Sequence, residues 1–245
     1  MALDQTEAVI LRSTAFSDQD KIVTFFSRDK GLVRGVAKGA RKFGNRFGSL
    51  LEPMTFVTVF YYEKERKELV TISGCDLIES FFDIQKDPPT AVTLAYFSEL
   101  VEEFFPARAH EELIFRLLLA TLRALKAGGR RDLLARYFEA WFLRVNGLLP
   151  DVRKCSRCRK PVAGGGFLSE KKDGVHCEAC ADFKKDAVGP ELGRFLEWAL
   201  KNAPPGAEAE PPCSGEELRA VGKSLQGFIT FHLEREPKTL RYARE

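Results

Sequence analysis

The chain has 245 residues, 44% of them hydrophobic and 30% charged. That composition excludes intrinsic disorder and supplies a sizeable core for one to three domains. Its longest apolar runs are four residues, as at Leu117 to Ala120, against the roughly 20 that a membrane-spanning helix needs, so neither a bilayer span nor a membrane partner is expected. The net charge of +3 comes from 38 Lys and Arg against 35 Asp and Glu, so an acidic partner has to be met by a local patch rather than by the whole surface.

Asp4 and Glu7 interrupt any hydrophobic region near the start and no cleavage site of small residues follows, which points away from a secretory leader and toward the cytoplasm. In such a chain six cysteines, four of them in two close pairs, read as metal ligands rather than disulfides.

From Glu7 to about Glu79 the pattern is of short β runs: AVILRS, KIVTFFS, GLVRGVA, MTFVTVFYY and ELVTIS. Ser17-Asp18, Asp29-Lys30-Gly31 and Glu63 to Lys67 supply turns. Five strands in about 80 residues predict a small antiparallel barrel. Between the third and fourth strands, Lys38 to Gly48 is too polar and glycine-rich to be a strand and is read as a mobile loop.

After Pro88-Pro89 the period lengthens to about 3.6. Leu94, Phe97, Val101, Phe104 and Phe105 mark one helix, and Leu134, Tyr137, Phe138, Trp141, Phe142 and Val145 another, whose aromatic stripe reads as core. Residues 111 to 126 are apolar on most faces and are expected at the buried centre of a bundle. Gly128-Gly129 and Gly147 with Pro150 are the stops. A four-proline stretch, Ala203 to Pro212, reads as an extended or mobile linker. Ser214 and Glu217 form an S-x-x-E capping box opening a last helix with the stripe Leu218, Val221, Leu225, Phe228, Ile229 and His232.

Cys155-Ser-Arg-Cys158 and Cys177-Glu-Ala-Cys180 are separated by 18 residues, the spacing of a four-cysteine zinc site. Two residues between thiols let a tight knuckle present both sulfurs to one ion, and a hairpin between knuckles closes the tetrahedron. Four thiolates leave no position for an activated water, so one structural zinc per chain is expected, with Cys155, Cys158, Cys177 and Cys180 as ligands. His176 is read as a bystander, and Cys75 and Cys213 as ordinary small side chains.

Residues 28 to 46 carry Arg28, Lys30, Arg34, Lys38, Arg41, Lys42 and Arg46 against the single acid Asp29, with Phe43 and Phe47 interleaved. Cations track phosphates and aromatic rings stack on any base, so Arg34, Lys38, Arg41, Lys42, Phe43 and Arg46 are the expected contacts for single-stranded nucleic acid, while Phe47 is expected to anchor the loop on the barrel. A second cluster, Arg153, Lys154, Arg157, Arg159 and Lys160, surrounds the first knuckle and either contacts DNA or balances the thiolates.

No G-x-x-x-x-G-K-[ST] occurs, and His110, His176 and His232 assemble no nucleophile and base, so no enzyme is expected. Asp18 and Asp20 are read as turn residues.

TEAVILRSTAFSDQDKIVTFFSRDKGLVRGVAKGARKFGNRFGSLLEP closely resembles the N-terminus of the bacterial RecO family of DNA repair and recombination mediators. GLLPDVRKCSRCRK with GVHCEAC looks like the zinc element that many members carry, except that Arg159 stands where a glycine is usual after the second cysteine. The resemblance runs from about Thr6 to Glu236. It implies an α+β multidomain architecture: an OB fold over 1–80, a helical bundle over 81–150, a zinc insertion over 151–182, and C-terminal helices over 183–245 that complete the helical domain. It also implies a cytoplasmic, nucleoid-associated protein that binds single-stranded and double-stranded DNA. Such a protein anneals complementary strands without ATP and acts with RecR to load RecA onto DNA coated by single-strand binding protein, with the participation of RecF left open. Two rival readings are a metal-dependent nuclease and a zinc-containing protein–protein adaptor.

Overall fold

The computed structural model describes residues 3–63, 68–182 and 184–242. The chain divides into two compact units, residues 1–119 with 237–245, and residues 120–236.

The first unit is built on a closed five-stranded barrel of β1 (Leu3–Ala15), β2 (Lys21–Ser27), β3 (Gly31–Ala37), β4 (Phe56–Tyr62) and β5 (Val70–Glu79), in the order β1-β2-β3-β5-β4. Neighbours pair antiparallel except β3 and β5, which close the barrel in parallel through Gly35↔Val70, Val36↔Thr71 and Ala37↔Ile72. Cβ atoms of Gly35 would approach Val70 Cγ2 to 2.7 Å, so this seam requires a residue without a side chain. The long β1 serves both edges: a register shift between Ile10 and Arg12 bends it, so that Leu3 to Val9 face β4 while Ala8 to Ala15 face β2. The expected turn from Glu63 to Lys67 falls, over 64–67, outside the described residues.

Inward side chains alternate as the strand period demands, with Ala8, Ile10, Val23, Phe25, Val33, Val57, Val59, Tyr61, Val70 and Ile72 forming the barrel core. The outer face of β2 carries Phe26, whose ring lies 6.4 Å from Phe105 and 6.0 Å from Phe115, while Phe56 also meets Phe115 at 6.0 Å. This aromatic layer joins the barrel to α1 (Pro88–Phe104) and the first part of α2 (Glu112–Lys126). Asp87 caps α1 by accepting the Thr90 N–H at 3.0 Å.

α2 differs from expectation. Ile114, Phe115, Leu118, Leu119, Leu122 and Leu125 are buried, but Arg116, Arg123 and Lys126 are exposed. Glu112, Arg116, Arg123 and Lys126 fall within one stripe at 100° per residue, so the helix has a single solvent face and is not buried all round.

In the second unit α3 (Arg131–Val145), α4 (Pro190–Ala199) and α5 (Gly215–His232) pack together. The aromatic stripe of α3 is core: Tyr137, Phe138 and Phe142 are buried, and the Trp141 Nε1–H donates to the Ala199 carbonyl at 3.0 Å. The Ser214 and Glu217 capping box opens α5. Residues 203–212 are not a loose tether. Pro205 is buried, and its carbonyl lies 2.7 Å from where a Cβ on Gly129 would stand, so the glycine pair ending α2 is a seat for this segment.

Between α3 and α4 lies a small sheet, β6 (Gly166–Leu168), β7 (Val175–His176) and β8 (Ala187–Val188), in the order β7-β6-β8. The cysteines flank it: Cys155 bridges to Val175 of β7, and Cys177 follows β7 directly. Residues 239–242 form a short α6 whose first turn donates to Glu99 of α1, in the first unit.

Candidate functional site

The basic loop begins where β3 ends. Its glycines supply left-handed turns at Gly39, Gly44 and Gly48, with φ of 71°, 65° and 52°. Successive backbone bonds wind it tightly, from the Lys42 N–H to the Gly39 carbonyl at 3.0 Å and from the Asn45 N–H to the Lys42 carbonyl at 3.2 Å. The Asn45 side chain then accepts the N–H groups of Phe47 and Gly48 at 3.0 and 3.1 Å.

The expectation of a mobile loop is corrected by its anchors. Ala40, Phe47 and Leu51 enter the barrel core, and Phe47 is 1% exposed. The turn after β1 grips it as well: Asp20 Oδ1 accepts the Gly39 N–H at 2.8 Å, and the Gln19 carbonyl accepts the Arg41 N–H at 3.0 Å. The Ser17 carbonyl accepts from Arg41 Nη1 at 2.6 Å. Arg46 donates through Nε to the Ser73 carbonyl at 2.7 Å and lies 4.7 Å over the Phe47 ring. Glycine here sets turn geometry; apolar burial sets rigidity.

The tip is left outside. Phe43 is fully exposed, with a relative accessibility of 108%, and Lys38, Arg41, Lys42 and Arg46 are exposed around it. An exposed ring among cations on an anchored loop can stack on a base while the cations meet phosphates, with little ordering left to do on binding. Arg34 is not gathered with them. It sits mid-strand on the outer face of β3 opposite Thr24, within electrostatic reach of Glu102, which Arg12 also pairs at 3.1 Å. Burial pushes the Glu102 carboxyl up, against the pull of those two arginines.

Sequence reasoning treated Asp20 as a turn residue and missed its hold on the loop. No local signal reveals that hold, because its partner lies 19 residues away.

The four cysteines converge. Sγ atoms of Cys155, Cys158, Cys177 and Cys180 all lie within 4.8 Å of one another, with Cys158 and Cys177 at 3.7 Å. A tetrahedron with metal–sulfur bonds of about 2.3 Å has edges of about 3.8 Å, so the set fits a single ion. His176 is not in this group. The first knuckle is shaped by bonds from the Cys158 N–H to Cys155 Sγ at 3.5 Å and from the Arg159 N–H to the Cys155 carbonyl at 2.9 Å. The N–H of Cys158, with those of Cys177 and Arg157, holds the Cys155 thiol down at about 6. Donating its S–H to the Cys177 and Cys158 sulfurs pushes the Cys180 thiol up to about 12. Arg159 has a φ of +64°, which accounts for glycine being usual there.

Comparison with known proteins covers nearly the whole chain. The family model described as "Recombination protein O N terminal" matches residues 1–81 and "Recombination protein O C terminal" matches residues 85–241. Among curated relatives, the DNA repair protein RecO of Koribacter versatilis is 37% identical over 241 residues, 97% of this chain and 97% of that protein. Those of Pelotomaculum thermopropionicum and Geobacter metallireducens are each 30% identical, covering 99% and 100% of this chain and 94% and 98% of their own lengths. With a closed barrel of OB order, a four-cysteine centre and matches spanning its length, the chain belongs to the RecO family of DNA repair proteins.

Proposed function

We propose that this chain is a recombination mediator that does no covalent chemistry. It binds single-stranded DNA through Lys38, Arg41, Lys42, Phe43 and Arg46, anneals complementary strands without ATP, and acts with RecR to load RecA onto DNA coated by single-strand binding protein. Arg34 contributes at the margin, from the strand. The observation that supports this reading best is the anchored basic loop with the bare Phe43 ring at its tip. A fixed platform that reads charge and π-face but no base edge suits a protein that must accept any sequence. The four-cysteine centre is proposed to hold zinc, which when bound ties the two knuckles into one element and offers no open coordination position.

Annealing of complementary labelled strands, with and without single-strand binding protein and in the absence of ATP, tests the reading. Acceleration that depends on Lys42 and Phe43 supports it; cleavage of the strands with magnesium or manganese, lost on removal of a carboxylate, would favour a nuclease instead. Binding to acidic peptides with none to naked oligonucleotide would make the chain an adaptor.

A further inference from the structure

The five cations around the first cysteine knuckle are used in two ways. Arg157 forks onto Asp182, with Nη1–Oδ1 at 3.1 Å and Nη2–Oδ2 at 2.5 Å, and its Nη1 also donates to the Cys180 carbonyl at 2.9 Å. Arg153 lies 3.1 Å from Asp151. Both are spent inside the element. Lys154, Arg159 and Lys160 are exposed, and among the described residues no carboxylate lies within ion-pair distance of any of the three. The backbone gathers them, because the Cys155 N–H donates to the Lys160 carbonyl at 2.9 Å and Lys154 faces Pro161 across an antiparallel bridge.

Arg159 is the informative member. Its φ of +64° is a conformation that a side chain opposes and glycine adopts freely. An exposed side chain with no partner does nothing for packing, so an arginine held there against backbone strain points to a contact outside the chain. Neutralising the thiolates is the competing role. Arg157 takes part in it, since its guanidinium bridges the two knuckles and lies within electrostatic reach of Cys180 and Cys155. Asp182 already offsets its single charge, so metal retention and salt slope are what separate the two roles for Arg159.

We propose that Lys154, Arg159 and Lys160 form a second phosphate contact for single-stranded nucleic acid, on the zinc knuckle and separate from the barrel loop. The proposal rests on the reading of this chain as a single-strand binder. Two lysine ammoniums and a guanidinium at a tight turn suit the phosphodiester backbone, and the absence of an aromatic ring among residues 153–160 makes the contact electrostatic, without an aromatic stacking platform.

The test uses the full chain with its metal and an oligothymidylate several times longer than the roughly 4–16 nucleotides that one OB fold covers. Affinity is measured against salt for the parent, Arg159→Gly, and the triple variant Lys154→Gln, Arg159→Gly, Lys160→Gln. Each lost contact is expected to flatten the slope of log K against log salt by about 0.7, so about 2 for the triple variant. Arg159→Gly should keep its full equivalent of metal and resist a chelator at least as well as the parent, because the substitution relieves the turn. A metal-loaded triple variant with the parental slope overturns the proposal. So does Arg159→Gly that sheds its metal while keeping the parental slope, which would make Arg159 a charge balance for the thiolates. If the parent itself fails to bind oligothymidylate, the single-strand reading falls, an outcome distinct from either of these.

Discussion

The Asp20 carboxylate accepts the Gly39 backbone N–H at 2.8 Å, so the turn leaving β1 holds the first glycine of the basic loop leaving β3. An acid beside a cationic DNA-binding loop would ordinarily weaken binding by repelling phosphate. Here it fixes the loop. Asp20→Ala, which removes both the charge and the acceptor, therefore gives opposite expectations for the two roles. If repulsion dominated, affinity would rise; with anchoring dominant, affinity for single strands falls while the salt slope holds, and the Gly39 amide exchanges faster with solvent. A charged hydrogen bond of this kind is worth about 1.5–3 kcal/mol. Amide exchange and oligonucleotide titration of the same variant distinguish the outcomes.

Phe43 and Phe47 are four residues apart and have opposite environments, one fully exposed and the other 1% exposed in the barrel core. Phe43→Ala is expected to weaken single-strand binding by about 1–3 kcal/mol without changing the melting temperature. Phe47→Ala opens a cavity under the loop and should destabilise the fold by about 3–5 kcal/mol. A Phe43→Ala protein that binds normally would remove the stacking role.

Four loop cations, Lys38, Arg41, Lys42 and Arg46, set the salt dependence expected of the barrel site. Contact of all four with phosphate gives a slope near −3 for single strands, since each contributes about −0.7. Charge reversal at Lys38, Arg41 and Arg46 together is expected to flatten it. Because Arg41 and Arg46 also hold the Ser17 and Ser73 carbonyls, circular dichroism and melting must accompany the titration. A folded triple variant with the parental slope would locate the DNA elsewhere.

Purified protein should contain one zinc per chain. Cys177→Ser removes one sulfur from a set whose members lie within 4.8 Å of one another, and its metal content is expected to drop below one tightly held equivalent. Damage should stay near residues 151–188, because the barrel and the α3–α5 core have their own apolar interiors. Retention of a full equivalent by this variant would refute the ligand assignment.

Gly222 on α5 leaves room for Arg136. An added Cβ would stand 1.9 Å from its Nη1, and Arg136 cannot swing aside freely because its Nη2 holds the fully buried Glu139 at 2.8 Å. Glycine to alanine inside a helix ordinarily stabilises by about 1 kcal/mol. Gly222→Ala is expected to reverse that sign and destabilise by about 1–3 kcal/mol, read as a fall in the urea midpoint. Unchanged or increased stability would mean that the ion pair is not held in place.

Much of the candidate site was legible in the primary structure because its signals are short-range. Strand alternation exposes the barrel core, since side chains on a strand change face at every residue. The C-x-x-C pairs announce a metal centre because a knuckle is closed by residues only a few positions apart. Arg159, standing where a glycine is usual, shows in the sequence as a departure from the family pattern, and the structure places a left-handed turn there. The helix at 112–126 was misjudged by counting apolar residues; the angular position of Arg116, Arg123 and Lys126 decides its exposed face.

What the sequence determined by itself, then, was the barrel, the order of the helices and the cysteine centre, all carried by periodicity or by close spacing. Only the tertiary structure decided that the basic loop is anchored, that Arg34 stands apart from it, and that Arg157 is spent on Asp182 while Arg159 is exposed and, among the described residues, paired with no acid. It alone brought Glu99 to the Thr239 N–H at 2.9 Å, across 140 residues. The reason is physical: a backbone N–H or a guanidinium accepts a partner from any part of the chain that packing delivers to it. Packing is a property of the whole fold, and no local pattern encodes it.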